Sequence, residues 1–450
     1  MPRARGSRGE GGGNGGGGGG LKRPDGPKPP DFDSSHAVVA LDGAVSVGAC
    51  SRGGQLSTTW KKENQDAYIC RALIPEERGG AGASQSRAAG GQASSSSNND
   101  GAGRGLVLGV FDGHGVHGRY VSTLVRDLMA EAVTREGASV AADPEAVFSR
   151  IFAAVDGELK RTTQRGLNLS GTTALLACIS AGQLSVAWAG DSACVVARAY
   201  VPGESESEES EGEEEEMRDD EGGDKPKRGV GVKLGGGRRG ERERASGAAA
   251  APVKEVARGP MTGAEPSLRA VRLTRDHKPG EPEERMRILA SNGRVDRIVV
   301  EGGEREGPER LFLKFAWTPG LSCSRSFGDT LGHEVGMVSS PEVTTYDVDS
   351  EDRFVVLGSD GIWDFLSDER VVEVAHEALT REGGTPEAAA EAVVLAAQEQ
   401  WRLKASTCDD VTCLIAKFQP SFAAKLRLRR LDSNASTTSS RSSIHTPGGD

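Results

Sequence analysis

The chain has 450 residues, of which 62 are glycine, and apolar and aromatic residues together make up only 36%. Globular domains usually run at about 45–50% apolar with glycine counted in, so part of this chain lies outside any packed core. The formal net charge is −11, yet residues 201–224 alone carry 13 acids against the single base Arg218; the remainder is close to neutral, which excludes a basic nucleic-acid-binding body.

In chain order, residues 1–34 read as a disordered Gly-rich segment with interspersed Arg, Lys and Pro. Residues 35–420 read as one domain with low-complexity insertions at about 79–105 and 202–266, and 421–450 as a disordered basic, Ser-rich tail. The insertions fall between strand-like segments, as surface loops do, because loop closure costs little more as a loop lengthens. Apolar runs predict buried strands at 106–111, 173–179, 184–189, 194–199, 354–357 and 411–418. Helical candidates span 116–136, 144–165, 281–292, 368–381 and 386–404. Gly137 reads as the stop of the first, Asp368 as the cap of the fourth, and Thr385 as the cap of the last, ahead of Pro386. Strands pair sequentially and helices cluster, which predicts an α+β fold with antiparallel sheets.

No apolar run is long enough to span a membrane, and the N-terminal MPRARGSRGEGGG lacks the apolar stretch of a secretory signal. Seven cysteines without CxxC pairs fit reduced thiols, most of them in the core. These features predict an intracellular monomer, in cytoplasm, nucleus or both, with neither membrane nor nucleic acid as partner.

The chemistry is concentrated in acids at strand ends. Three strand runs finish in an acid followed by a small residue: Asp112-Gly113, Asp191-Ser192 and Asp360-Gly361. Asp409-Asp410 stands just before the strand at 411–418, and Asp66 follows Asn64-Gln65. Each alone could be a hairpin turn, since Asp favours turns over strands. Together they point to one rim. Like charges in a shared site disfavour ionisation, so such a cluster calls for cations, and oxygen ligands call for hard ones, Mg²⁺ or Mn²⁺. Two such ions about 3.5–4 Å apart activate a water and clamp a phosphoryl group, which predicts metal-assisted phosphate hydrolysis.

The motifs carry a resemblance. Glu63-Asn64-Gln65-Asp66-Ala67, Phe111-Asp112-Gly113-His114-Gly115, Ser170-Gly171-Thr172-Thr173-Ala174 and Ala189-Gly190-Asp191-Ser192 come first. Leu273-Thr274-Arg275-Asp276-His277-Lys278-Pro279, Asn292-Gly293-Arg294-Val295, Ser322-Cys323-Ser324-Arg325-Ser326-Phe327-Gly328-Asp329 and Ser339-Ser340-Pro341-Glu342-Val343 follow, then Ser359-Asp360-Gly361-Ile362-Trp363-Asp364 and Asp409-Asp410-Val411-Thr412. In this order the chain resembles the metal-dependent Ser/Thr protein phosphatases of the 2C type, the PPM family.

The resemblance implies a β-sandwich of two mainly antiparallel sheets flanked by helices, an α-β-β-α arrangement, with two Mg²⁺ or Mn²⁺ ions at one end. It implies Asp112, the Gly113 carbonyl, Asp360 and Asp409 as ligands, Asp66 acting through metal-bound water, and Asp191 and Asp364 with Asp360 at a weaker third metal. It also implies in-line attack on phosphoserine or phosphothreonine of protein substrates by a metal-bridging hydroxide, with His114 as general acid. Two positions depart from the family pattern. Lys61 stands where a phosphate-binding Arg is expected, offering a point charge in place of a fork, and Gln65 replaces an acid. His117 reads as surface, Asp410 as a hydrogen-bonding neighbour, Asp276-His277 as structural, and Asp329 as either a turn or a support of the site. Phe315 and Trp317 read as core. The rival reading is a non-catalytic phosphoprotein-binding scaffold of the same fold; retention of Asp66, Asp112, Asp360 and Asp409 speaks against it.

Overall fold

A computed structural model describes residues 34–41, 44–56, 59–60, 63–73, 105–140, 142–162, 166–180, 182–200, 267–300, 302–420 and 422. The Gly-rich, acidic and Ser-rich stretches, and Lys61, lie outside the described residues.

Two sheets form the body. One has six strands in the order Ser34–Ala40, Val45–Arg52, Val411–Phe418, Asp352–Gly358, Ala193–Tyr200 and Ser267–Arg272. The other has five, in the order Glu342–Asp347, Gln183–Ala189, Ala174–Ser180, Gly105–Phe111 and Ala67–Leu73, and all its pairings are antiparallel. Because side chains alternate across a strand, a strand covered on both faces must be apolar at nearly every position. Val411–Phe418 shows this: Leu414, Ala416 and Phe418 enter the core between the sheets, while Val411, Cys413 and Ile415 face the helices. In Gly105–Phe111, Leu106, Leu108 and Val110 point inward, and Val107 and Phe111 point to the other helical layer.

Helices Gly118–Val140 and Pro144–Thr162 cover the five-stranded sheet through Val121, Val125, Met129, Phe148, Ile151 and Phe152. Helices Asp368–Thr380 and Pro386–Lys404 cover the six-stranded sheet through Val371, Val372, Ala375, Val393 and Val394. The result is the expected α-β-β-α sandwich. Fully buried side chains of this size contribute about 1.5–3 kcal/mol each, so three apolar layers carry the stability. A smaller antiparallel sheet, Gly293–Val299, Arg305–Leu313 and Pro319–Leu321, packs with helix Pro282–Ala290 around Ile288, Leu311 and Met337.

Three expectations change. The first helix runs through Gly137 to Val140, so that glycine does not stop it. Ser367, not Asp368, caps its helix by accepting from the Arg370 N–H, leaving Asp368 in the first turn; Thr385 caps its helix as expected. Phe315 is 94% exposed and Trp317 55% exposed, so neither is core; Trp317 meets Phe312 edge-on and stacks under the Arg294 guanidinium. None of the seven cysteines forms a disulfide. Among the described residues no helix is long and apolar enough to cross a membrane.

Candidate active site

Register brings the acids to one rim. Ala67 pairs with Phe111, so Asp66 and Asp112 leave their strands at the same end. Gly358 pairs with Cys413 and with Ala193, which does the same for Asp360, Asp409 and Asp191. A cavity of about 360 Å³ opens there, lined on one side by Asp112, Gly113, His114, Asp191, Asp360 and Asp409. Arg310 and the segment Gly320–Cys323 of the small sheet line it as well. Asp364 is exposed and Asp66 lies beneath, only 2% exposed.

The acids are held by hydrogen bonds that leave oxygens over. Asp66 Oδ2 accepts from Ser359 Oγ at 2.9 Å and Thr412 Oγ1 at 2.6 Å, while its Oδ1 is buried without a partner. Asp360 Oδ1 is likewise buried and unpartnered. Burial, with the charges of Asp410 and Asp409 added, pushes the Asp66 carboxyl up to about 7. Burial pushes Asp112 and Asp360 well above the usual carboxylate range, and the neighbouring carboxylates push them further: Asp360, Asp66 and Asp409 act on Asp112, and Asp191, Asp409 and Asp364 on Asp360. Asp410, by contrast, spends both oxygens on backbone N–H groups, of Gly54 at 2.6 Å and Gln65 at 2.9 Å. It is the hydrogen-bonding neighbour expected.

Gly113 is close to the only residue its place admits: a Cβ there would lie 2.5 Å from the Gln65 carbonyl oxygen and 2.6 Å from that of Gly118. The Gln65 side chain donates to the Gly115 carbonyl at 2.7 Å, bracing the turn after His114.

His114 is placed by a miniature sheet in which Gly113–His114 pairs with Gly171–Thr172, and Gly171–Thr172 with Phe327–Gly328. This pairing sets Asp329 against the imidazole, with His114 Nε2 and Asp329 Oδ2 2.6 Å apart. Ser326 Oγ donates to the same oxygen at 2.6 Å. Asp329 is fully buried and holds the left-handed conformation, φ 38°. A Cβ on Gly171 would lie 2.0 Å from Asp329 Oδ2, so that glycine makes room for the carboxylate. Burial alone would lower the His114 pKa, but Asp329 outweighs it and raises it. Asp329 thus supports the site; His117 is exposed.

The LTRDHKP segment is mainly structural. His277 is buried, its Nδ1 accepts from the Gly190 N–H at 3.1 Å, and burial lowers its pKa to about 4. The next residue was not singled out by sequence reasoning: Lys278 Nζ lies 2.5 Å from Asp191 Oδ2 and neutralises that acid from within the chain. Arg310 was also missed, since it belongs to no motif.

The donor set suits a hard divalent cation: oxygens only, two of them buried and unpartnered, on carboxyls that repel one another. Among the described residues no group of three or more Asp, Glu, His or Cys side chains converges on one point at ligand distances.

The sequence profile of the family described as Protein phosphatase 2C matches residues 77–218 and 262–403. The chain is 32% identical over 323 residues to the Oryza sativa subsp. japonica protein named Probable protein phosphatase 2C 48, covering 68% of this chain and 72% of that one. It is 28% identical over 363 residues to Probable protein phosphatase 2C 61 of Arabidopsis thaliana, covering 79% and 89%. Among solved structures its fold is similar to that of serine-threonine phosphatase 2C from Toxoplasma gondii, with TM-score 0.55 and 18% identity over 87% of this chain and 100% of that one.

Proposed function

The chain belongs to the protein phosphatase 2C family and is a protein serine/threonine phosphatase, and we propose that its acid-lined cavity hydrolyses phosphoserine and phosphothreonine of protein substrates with two Mg²⁺ or Mn²⁺ ions. The observation that carries this reading is the set of buried carboxyls with unpartnered oxygens and raised pKa at one strand rim. In it, Asp112, the Gly113 carbonyl, Asp360 and Asp409 hold the ions and Asp66 acts on them through water. Asp191 and Asp364 join Asp360 at a weaker third position, in competition with Lys278. When bound, the cations supply the activated water and charge neutralisation that phosphoester hydrolysis requires.

The chain's own residues do the rest. His114 lines the cavity with its Nε2 tied to Asp329, whose charge favours the protonated imidazole, and it would give a proton to the departing serine or threonine oxygen. Asp329 orients the ring, and Ser326 and Gly171 hold Asp329. The test is phosphate release from a phosphothreonine peptide with Mn²⁺, Mg²⁺ or EDTA, by wild type and by Asp112→Asn. Metal-dependent turnover that vanishes in the variant supports the reading. A folded wild type that is silent in every metal would overturn it and favour the phosphoprotein-binding scaffold.

A further inference from the structure

We propose that Arg310 binds an oxyanion of the substrate on the cavity wall contributed by the small sheet; this rests on the phosphatase reading above. Arg310 lies on strand Arg305–Leu313 and lines the same cavity as Asp112, Asp360 and Asp409. Its neighbours in that sheet are charge-paired: Arg294 and Arg305 share Asp296, and Arg285 from the adjoining helix takes Glu309. Arg310 has no such partner among the described residues. Among the described residues its one side-chain hydrogen bond runs from Nη1 to the Gly320 carbonyl at 2.8 Å, and its Nε is buried without an acceptor.

Nε and Nη2 form one edge of the guanidinium, the edge that grips a carboxylate or phosphate bidentately. With Nη1 anchored to Gly320, that edge donates to no protein atom among the described residues, so turning it to the cavity breaks no hydrogen bond of its own. The facing acids attract it electrostatically, but once they hold cations the opposite wall is no longer anionic. A dianion seated between the two walls is then attracted from both sides. The small sheet therefore does more than roof the cavity. It supplies the fork that Lys61 cannot, because Lys offers only a point charge.

The oxyanion has two sources, the phosphoryl group or an acidic side chain beside the phosphorylated residue. Full-length wild type, Arg310→Gln and Arg310→Lys would be assayed with Mn²⁺ on p-nitrophenyl phosphate and on phosphothreonine peptides with neutral and acidic flanks. Orthophosphate inhibition is measured in parallel. We expect Arg310→Gln to raise KM about ten- to a hundredfold, the scale of a lost charge-assisted hydrogen bond, with kcat changed by less than about threefold. Arg310→Lys, which keeps length and charge and so protects the fold, recovers part of the loss. A rise in KM on every substrate with weaker orthophosphate inhibition assigns the phosphoryl group; a rise confined to the acidic peptide assigns the flanking side chain. KM and orthophosphate inhibition within twofold of wild type in both variants would overturn the proposal while leaving the phosphatase reading intact. Loss of wild-type turnover would strike that reading instead.

Discussion

Two buried carboxyl clusters in this molecule behave in opposite ways. At the strand rim, Asp66, Asp112 and Asp360 are pushed above the carboxylate range by burial and by neighbouring carboxylates, and Asp66 and Asp360 each keep an oxygen without a partner. About the Pro282–Ala290 helix, Glu284 is fully buried yet held below that range. It accepts from Arg287 at 2.6 and 2.8 Å and from Arg325 at 2.7 and 3.1 Å, with Ser324 Oγ as a further donor. Arg325 continues to Glu342 at 2.9 Å, which Arg275 also grips. Burial costs both clusters the hydration of their charge. The Glu284 cluster recovers it from arginines of the chain, whereas the rim cluster leaves it to be recovered by something that binds. Unmet charge marks the site, and met charge marks the scaffold.

Each half of that contrast can be broken separately. The largest effect is expected at the rim: Asp360→Asn lowers kcat by at least about a thousandfold, the scale of removing a principal electrostatic group of a site, while the EDTA-treated protein melts no lower than wild type because a repulsion has gone. Steady-state kinetics and a thermal melt of the same sample check it. In the scaffold the sign reverses, and Glu284→Ala should cost about 3–5 kcal/mol of stability by stripping Arg287 of its carboxylate and leaving Arg325 with Glu342 alone, read by denaturant unfolding.

The two clusters should also differ in pH response. Glu284 is depressed in the fold, so its contribution is present above its ordinary value of 4.5 and lost as pH falls below it. Asp66 is raised to about 7 from 3.8, so without metal its carboxyl holds a proton in the fold that the unfolded chain has released. Stability therefore falls as pH rises from about 4 to 7. Melts of EDTA-treated protein across pH 3–8 should peak between the two limbs; Glu284→Gln removes the acid limb and Asp66→Asn the neutral one.

Smaller effects follow from the supports. Asp329→Asn should lower kcat about ten- to a hundredfold, within the usual range for general acid catalysis, with KM unchanged and the alkaline limb of the pH–rate profile moved to lower pH. Smallest is Ser367→Ala, which removes a helix cap and should cost about 1 kcal/mol without touching turnover.

The parts legible in sequence were those written in contiguous residues. Strands covered on both faces read as unbroken apolar runs, so 411–418 was found to the residue, whereas the edge strands Ala67–Leu73 and Glu342–Asp347, with exposed and half-buried positions, gave no such run. The acids were legible because Asp is out of place at the end of an apolar strand. Their partners were not. Lys278 meets Asp191 across 87 residues of sequence, and Asp329 meets His114 across 215; only register and packing create those pairs. Gly137 and Asp368 misled because local preference for stops and caps yields to neighbouring structure: apolar contacts on both sides of Gly137 carry its helix onward, and Ser367 cradles the N–H that Asp368 was expected to take.

Without metal, the rim acids hold protons in place of cations. Calorimetric titration of Mn²⁺ into the EDTA-treated protein at pH 6.5, in two buffers of different ionisation enthalpy, tests it most directly. Binding with net proton release is expected, since cations displace protons from raised carboxyls, and so is loss of that release in Asp360→Asn. Mn²⁺ binding with the same heat in both buffers, or no binding at all, would contradict it.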